Sequence, residues 1–273
     1  MKKMSFASKI YPAIVLLFLY LPIIMLMILS FNASNSTSVM NGLSLKWYVE
    51  LFRDEATIQA FYNTLILAIL SAITSTFIGT LAAVGIDKMK KGFVKTSLMS
   101  VTNIPMMNPE IVTGVSMMLL FVFIGSSLKI NGILGFWTLF IAHVTFCLPY
   151  VILNIMPKLK QTDAHIAEAA QDLGCTKLQA FLKVVLPSIR PGIVAGFIMA
   201  FTLSLDDFII SYFTSGSTSQ TLPITIYSMT RRKVSPEINA LSTLIFLVVV
   251  IVLVVKHIVE TKQAKRNEAY GRD

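Results

Sequence analysis

The chain has 273 residues, of which 55% are hydrophobic and only 14% are charged. A soluble domain carries roughly 25% charged residues, so this chain is poor in the groups that water solvates. The net charge of +9 does not indicate a nucleic-acid partner, because the charges lie between apolar segments, where they set membrane topology. Composition therefore excludes an ordinary soluble domain and predicts an all-α integral membrane protein.

Apolar runs of about 20 residues recur along the sequence, and each is long enough to cross the ~30 Å hydrocarbon core as a helix. We predict six transmembrane helices within one transmembrane domain, 1–273. They lie at about 11–31, 60–84, 98–124, 134–156, 193–213 and 240–255. The first follows Lys2 and Lys3, but its apolar core is longer than that of a signal peptide, so we expect a retained anchor.

The basic residues predict how these helices are oriented. If the N-terminus is inside, the inner loops and the two tails hold most of the 23 lysines and arginines. Basic residues are enriched on the cytoplasmic side of membrane proteins, so we expect both termini in the cytoplasm. One basic run, Arg231-Arg232-Lys233, lies outside in this arrangement.

Three acidic residues fall inside predicted spans, where a charge costs about 2.5 to 3.5 kcal/mol on insertion scales. Glu110 lies near the middle of the third span, and Asp206 and Asp207 lie in the fifth. Asn108-Pro109 directly before Glu110 is a helix start signal. We therefore expect the third span to be broken there, as happens where a helix lines a cavity.

The two aspartates of the fifth span are expected to have different surroundings, because adjacent residues on a helix point about 100° apart. Asp207 shares a helical stripe with Ser204 and Ser211, and we expect this polar stripe to face a pore. Asp206 lies nearer an edge and is expected to contact a neighbouring helix. An alternative is that all three intramembrane acids only make hydrogen bonds between helices.

The inner segment between spans four and five, residues 157–192, has the composition of a structured element. Its alanines favour a slim helix that another surface can approach closely. Gly174 can end that helix in a left-handed conformation, and Thr176 can cap a second helix running to Val185. We expect Pro187 to end the second helix. The sequence therefore predicts a short helix-turn-helix on the cytoplasmic face.

The stretch Glu168-Ala169-Ala170-Gln171-Asp172-Leu173-Gly174, followed after nine residues by Val184-Val185-Leu186-Pro187, resembles the EAA loop of ABC importer permeases. The resemblance implies that this loop is the coupling helix that docks into a groove on an ATPase subunit. The residues that fall on the motif are Glu168, Ala169, Ala170, Asp172, Gly174, Leu186 and Pro187. Val184 replaces the usual isoleucine. The alternative is an amphipathic loop that merely lies on the membrane surface.

Five further stretches resemble the component C permeases of spermidine/putrescine importers, and with them the resemblance covers most of the chain. They are 45–48, 105–112, 145–149, 201–208 and 235–240. The resemblance implies a multi-pass protein of a bacterial cytoplasmic membrane that imports polyamines and contacts membrane lipid. It also implies a similar permease as partner, an ATPase dimer that binds ATP and Mg, and an external polyamine-binding protein.

A polyamine carries two or three positive charges, so its path needs acids along a channel, and aromatic faces can hold its ammonium groups. Glu110 and Asp207 suit the first need, and Trp47 near the outer mouth suits the second. An interfacial belt position is the alternative for Trp47. The complete set of predicted pathway residues is Trp47, Glu110, Ser204, Asp206, Asp207 and Ser211.

The sequence contains neither a phosphate-binding loop of the Gly-x-x-x-x-Gly-Lys-Ser/Thr type nor a His-Glu-x-x-His zinc site. The three histidines are scattered without metal-ligand spacing. We therefore predict no catalytic residue, metal or cofactor in this chain. Ser116 and His143, both in predicted spans, give only a weak indication of an intramembrane serine protease.

Three other functions remain open at this point. The first is an importer of the same type for another cationic or small polar solute. The second is a secondary transporter driven by an ion gradient, which would leave the EAA loop unexplained. The third is a structural membrane scaffold, in which changing Glu110 or Asp207 would not affect transport.

Overall fold

The computed structural model describes residues 6–34, 40–90, 92–163, 165–232 and 236–269. Within these ranges every regular element is a helix, which confirms the all-α prediction, and an isolated bridge joins Asn32 and Leu43. The helices are α1 Phe6–Leu29, α2 Lys46–Leu51, α3 Glu55–Lys88, α4 Phe93–Met107, α5 Glu110–Ser127, α6 Phe136–Gln161, α7 Ile166–Asp172, α8 Lys177–Ala180, α9 Leu186–Asp206, α10 Ile209–Thr214, α11 Leu222–Arg232 and α12 Glu237–Ala269.

Five helical segments among the described residues are long and apolar enough to cross a membrane. They are Glu55–Lys88, Glu110–Ser127, Phe136–Gln161, Lys177–Asp206 and Glu237–Val254. The apolar stretch of α1, Ile14–Leu29, is shorter. A sixth span and the inward orientation of both termini therefore stay predictions. Lys233, in the basic run that the predicted orientation places outside, lies outside the described residues.

The third predicted span consists of two helices, and the expected break at Asn108-Pro109 is confirmed. Helix α4 ends at Met107, and α5 begins at Glu110. Asn108 has an extended backbone with ψ of 140°, and Pro109 follows with ψ of 133°. A residue before proline avoids the helical region because the proline ring clashes with its backbone, so the break follows from the local sequence.

The expectation that Pro187 ends the second helix of the inner loop is wrong. Helix α8 leads into a π-helical turn, Phe181–Val185, and this turn continues directly into α9. Pro187 lies in the first turn of α9. A proline lacks the N–H that a regular helix would use, and the wider π-helical turn before it changes the hydrogen-bond pattern at this point. The helix therefore continues past the proline.

The fifth predicted span, 193–213, also consists of two helices rather than one. Helix α9 ends at Asp206, Asp207 is extended with ψ of 125°, and α10 begins at Ile209. Neither proline nor glycine marks this second break. Its cause is a set of contacts with α6, which are described with the candidate site below.

The chain divides into two compact units, Met1–Gln59 with Thr225–Ile251 and Ala60–Ile224 with Val252–Asp273. In the first unit, α2 is fixed to the segment after α1. The Tyr48 hydroxyl lies 2.8 Å from Ser30 Oγ, and the rings of Tyr48 and Phe31 are 5.5 Å apart.

In the second unit, α6 packs mainly against α9. The residues of α9 that face α6 are small and recur at every fourth position: Gly192, Gly196, Ala200 and Ser204. A Cβ atom at Gly196 would lie 3.3 Å from the Val151 side chain, and one at Gly192 would lie 3.0 Å from the Asn154 carbonyl oxygen. Small residues at this spacing allow two membrane helices to approach closely.

We expect Gly192→Ala to destabilise the second unit by about 1 to 3 kcal/mol, because the added methyl group overpacks the contact with α6. Its Cβ would meet backbone atoms of Asn154 and Ile155 at 3.0 and 3.2 Å. Gly85→Ala is the matched control, since a Cβ at Gly85 of α3 has nothing within 4 Å. Thermal unfolding in mild detergent, followed by labelling of the buried Cys147 thiol, measures the difference. Equal transition temperatures for the two variants would contradict the prediction.

Candidate translocation pathway and coupling surface

A cluster of buried polar side chains lies where α9 ends. His143 of α6 is fully buried, with Nδ1 2.7 Å from Ser204 Oγ and Nε2 2.9 Å from Ser211 Oγ. Ser71 of α3 extends the cluster, with its Oγ 2.9 Å from Ser204 Oγ. Asp207 completes it, with Oδ2 3.5 Å from His143 Nε2. Four helical elements thus meet through side chains that satisfy one another, as buried polar groups require.

Asp207 also caps α10. Its Oδ1 accepts the Ile210 N–H at 3.3 Å, and its Oδ2 accepts the Ser211 N–H at 2.8 Å. These N–H groups belong to the first turn of α10, where a helix has no internal partners for them. The carboxylate is only 8% exposed. The break between α9 and α10 is therefore stabilised by Asp207, which caps α10 and also faces His143 of α6.

This arrangement corrects the predicted pore-facing stripe of Ser204, Asp207 and Ser211. The three residues do share one side of the chain, but that side packs on His143 and is buried. The prediction assumed a continuous helix and gave no structural role to His143. Ser71 was missed as well, although hydroxyl side chains inside predicted spans were a sequence signal for polar contacts between helices.

The other two intramembrane acids are exposed on this chain. Glu110 is the first residue of α5, at the predicted break, and Asp206 is the last residue of α9. Helix α5, which Glu110 begins, packs against α10, which follows Asp206 after a two-residue break. Asp206 is exposed at the end of α9, and its expected contact with a neighbouring helix stays a prediction.

Trp47 does not present an open aromatic face. Its side chain is 5% exposed, and its Nε1–H donates to the Asn32 carbonyl oxygen at 2.7 Å. Lys46 Nζ lies 4.8 Å from the centre of its ring. The expectation of a free ring at an outer mouth is therefore corrected: the indole anchors α2 within the first unit.

The predicted turn in the inner loop is confirmed. Helix α7 ends in a left-handed residue, Gly174 with φ of +89°. The N–H groups of Gly174 and Cys175 donate to the carbonyls of Gln171 and Ala170, which is the Schellman arrangement of a helix end. Thr176 caps α8 as expected, with Oγ1 accepting the Gln179 N–H at 3.3 Å.

The exposed side of this loop combines charge with bare apolar surface. Glu168, Ala169, Asp172 and Gly174 are exposed, and Ala170 is buried beneath them. The large apolar side chains that stand out of the loop are Leu173, Leu178 and Leu182, exposed by 88%, 67% and 49%. Apolar surface with a polar rim is typical of a protein contact site.

Leu186 and Pro187, the end of the EAA pattern, are not part of that exposed loop surface. They lie in the first turn of α9 and line a groove of about 610 Å³ together with Phe77 of α3 and Arg190. Leu182 of the exposed loop surface lines the same groove, so the two ends of the motif lie on different elements that meet at this side chain.

No group of three or more His, Cys, Asp or Glu side chains able to hold a metal ion occurs in the described ranges. Cys147 and Cys175 are both free thiols.

Comparison with known proteins gives a consistent result at three levels. The family described as "Binding-protein-dependent transport system inner membrane component" matches residues 75–262. The chain is 37% identical over 253 residues to the spermidine/putrescine transport system permease protein PotC of Escherichia coli K12, covering 92% of each chain. It is 42% identical over 228 residues to the putrescine transport system permease protein PotI of the same strain, covering 84% of this chain and 81% of the relative.

Among solved structures, the fold is similar to a chain of a bacterial ABC transporter involved in the import of the polysaccharide alginate. The TM-score is 0.69 at 18% identity, with 92% of this chain and 93% of that chain covered. A chain of an amino acid ABC transporter with histidines gives a TM-score of 0.56 at 20% identity, covering 79% of this chain and 98% of that chain. At these identities the likeness concerns the fold alone.

Because Asp207 caps α10 and faces His143, we expect Asp207→Ala to destabilise the protein by about 1 to 3 kcal/mol. Asp206→Ala is the matched control, since the neighbouring carboxylate is exposed, and we expect it to change stability by less than about 0.5 kcal/mol. Thermal unfolding of the two purified variants measures the difference. A larger loss of stability for Asp206→Ala than for Asp207→Ala would show that Asp206, rather than Asp207, has the structural role.

The loop carries a pH-sensitive pair. His165 Nδ1 lies 3.1 Å from Glu168 Oε2, and the hydrogen bond that the imidazole N–H donates to this carboxylate raises the pKa of His165 above its ordinary value of 6.5. The charged pair is therefore complete below pH 6.5 and is lost as the pH rises through the raised pKa. We expect an NMR titration of His165 to move to lower pH in Glu168→Gln, and to stay unchanged in Asp172→Asn. An unchanged titration in Glu168→Gln would show that the pair does not form in solution.

Proposed function

This chain belongs to the family of binding-protein-dependent transport system inner membrane components, and from that premise we propose that it forms part of the pore of a polyamine importer. As a family member it is a multi-pass permease subunit of an ABC importer, and it is not an enzyme. The solute we propose is spermidine or putrescine, carried inward across a bacterial cytoplasmic membrane. ATP hydrolysis would occur on a separate ATPase pair, which holds the ATP and Mg.

The observation that supports this proposal most is the likeness to relatives named as polyamine permeases over nearly the whole chain. The likeness to PotC includes the EAA loop and the segments around the intramembrane acids within its 253 residues. A likeness confined to the family region would support a permease of any solute. Similarity that extends through both units supports a shared solute as well.

Glu110 and Asp206 are the acids that we propose to meet the passing cation. Both are exposed, and both stand at helix ends, Glu110 at the start of α5 and Asp206 at the end of α9. A carboxylate at membrane depth is costly unless it is paired or hydrated, and a polyamine ammonium group supplies a partner. Asp207, with Ser204 and Ser211, would act indirectly by holding the helix break that leaves Asp206 at an open helix end.

We propose that α7 is the coupling helix and that the ATPase docks on the exposed leucines Leu173 and Leu178 with Glu168 beside them. The helical segment Lys177–Asp206 contains 30 residues, which at 1.5 Å per residue spans about 45 Å. It connects the loop directly to Asp206. Movement of the loop by the ATPase would therefore reach the pathway through one continuous helix.

The complete machine that we propose contains a second, similar permease, the ATPase pair and an external polyamine-binding protein. In the proposed topology, with six spans and both termini inside, α7 would lie on the ATPase side of the membrane, in contact with the cytoplasm. Membrane lipid would cover the remaining apolar surface. An ion-coupled secondary transporter does not fit this family, whose description ties transport to a binding protein.

Uptake of labelled spermidine and putrescine into proteoliposomes that hold the assembled importer tests the proposal. We expect ATP-dependent uptake, and we expect Glu110→Gln and Asp206→Asn each to lower it by about 10-fold or more, because a hydrogen-bonded charge contributes ~1.5 to 3 kcal/mol. ATP hydrolysis should persist in both variants. Asp87→Asn, at the end of α3, is the matched control and should transport normally.

Three other outcomes would each contradict part of the proposal. Entry of a different solute from a competition panel, without polyamine entry, would remove the substrate assignment and keep the importer. Uptake that persists without an ATPase would remove the importer. Full uptake in both acid variants would remove Glu110 and Asp206 from the pathway, as a scaffold role also predicts.

A further inference from the structure

A cavity of about 230 Å³ lies beside the break between α4 and α5 and is closed on one side by α6. Its wall is partly polar, with Asn108 in the break, Thr113 and Ser116 on α5, and Thr145 on α6. None of these four residues is among the predicted pathway residues. Glu110 is not itself a lining residue, but it begins α5 between the lining residues Asn108 and Thr113.

Most polar groups of this wall are available to a ligand. Within the described part of the chain, no hydrogen bond involves the side chains of Asn108, Thr113 or Ser116. The Thr145 hydroxyl donates to the Ile141 carbonyl at 2.8 Å, which leaves its oxygen lone pairs free to accept. Together these groups offer oxygen acceptors, which is what the N–H groups of an ammonium ion require.

The rest of the cavity suits a short hydrocarbon chain next to a positive charge. Met117 and Phe146 supply an apolar wall, and no Lys or Arg is among the residues that line the cavity. The Phe146 ring packs edge to face against Tyr150, with the ring centres 5.5 Å apart. Glu110 and Thr113 lie three residues apart in the first turn of α5, so a negative charge stands on the same helical turn as part of the cavity wall.

We propose that this cavity is the subsite that holds one terminal ammonium group of the polyamine, with its adjoining methylenes, while the next charge of the chain meets Glu110. This inference rests on the proposed function and adds the residues that would bind the solute in this subunit. The volume of about 230 Å³ exceeds that of several water molecules at ~30 Å³ each, which leaves room for an ammonium group and its adjoining methylenes. The hydroxyl oxygens would accept hydrogen bonds from the ammonium group, and Phe146 would contact the methylenes.

The test uses the complete importer in proteoliposomes with labelled spermidine or putrescine, and it measures polyamine taken up per ATP hydrolysed. The variant is Thr113→Val combined with Ser116→Ala, which removes two acceptors and keeps the side-chain shape nearly constant. We expect this ratio to fall about 10-fold, since hydrogen bonds to charged groups are among the stronger ones, with ATP hydrolysis unchanged. Thr113→Val combined with Ser116→Thr keeps a hydroxyl at position 116. We expect this variant to regain most of the uptake per ATP that the change of Ser116 to alanine removes.

Matched controls come from the same broken span. Thr102→Val on α4 and Ser127→Ala at the end of α5 remove hydroxyls that donate to Leu98 and Phe123 carbonyls outside the cavity, and both should leave the ratio unchanged. An unchanged ratio in the double variant, while wild type imports polyamine, would overturn the subsite alone. A parallel fall of uptake and hydrolysis would also overturn it, because that result indicates a structural role. Absence of polyamine uptake by wild type would instead remove the proposed function, and the subsite with it.

Discussion

The close packing of α9 on α6 determines where the other features of the second unit lie. In lipid, helices gain little from apolar burial and are held by packing and by hydrogen bonds between them. Gly192 and Gly196 allow the two backbones to approach at the inner part of the contact. At the other end of the same stripe, Ser204 meets His143. One row of small residues therefore provides both the packing and the first hydrogen bond of the buried polar cluster.

The polar cluster explains how two adjacent aspartates can do different things. If the fifth span were a continuous helix, Asp206 and Asp207 would differ only in direction. In the structure the helix ends between them, so that Asp207 satisfies the first N–H groups of α10 and Asp206 stands at an exposed helix end. Burying one carboxylate requires partners on three sides, and His143 with the two N–H groups supplies them. The exposed carboxylate is thereby available to a solute.

Features that depend on local rules could be predicted from the sequence. The break at Asn108-Pro109, the left-handed turn at Gly174 and the cap at Thr176 each follow from neighbouring residues, and the structure contains all three. Features that depend on distant contacts could not. The break at Asp207 requires His143, which is 64 positions earlier in the numbering, and the burial of Trp47 depends on a carbonyl after α1. The roles proposed for the exposed acids rest on their charge and on their exposure in the structure, and the exposure could not be predicted from sequence spacing.

The π-helical turn at Phe181–Val185 affects how α8 is rotated about the helix axis relative to α9. A π-helical turn holds more residues than an α-helical one, with bonds to the fifth rather than the fourth residue, and each residue in a regular helix corresponds to about 100° of rotation. The turn therefore determines the direction in which the side chains of α8 point around the axis of α9. Deleting one residue from this turn would leave the hydrophobic pattern and the length of the segment almost unchanged. It would, however, rotate Leu178 of α8 away from the direction in which α7 presents its acids. Insertions and deletions in this short stretch should be far less tolerated than substitutions.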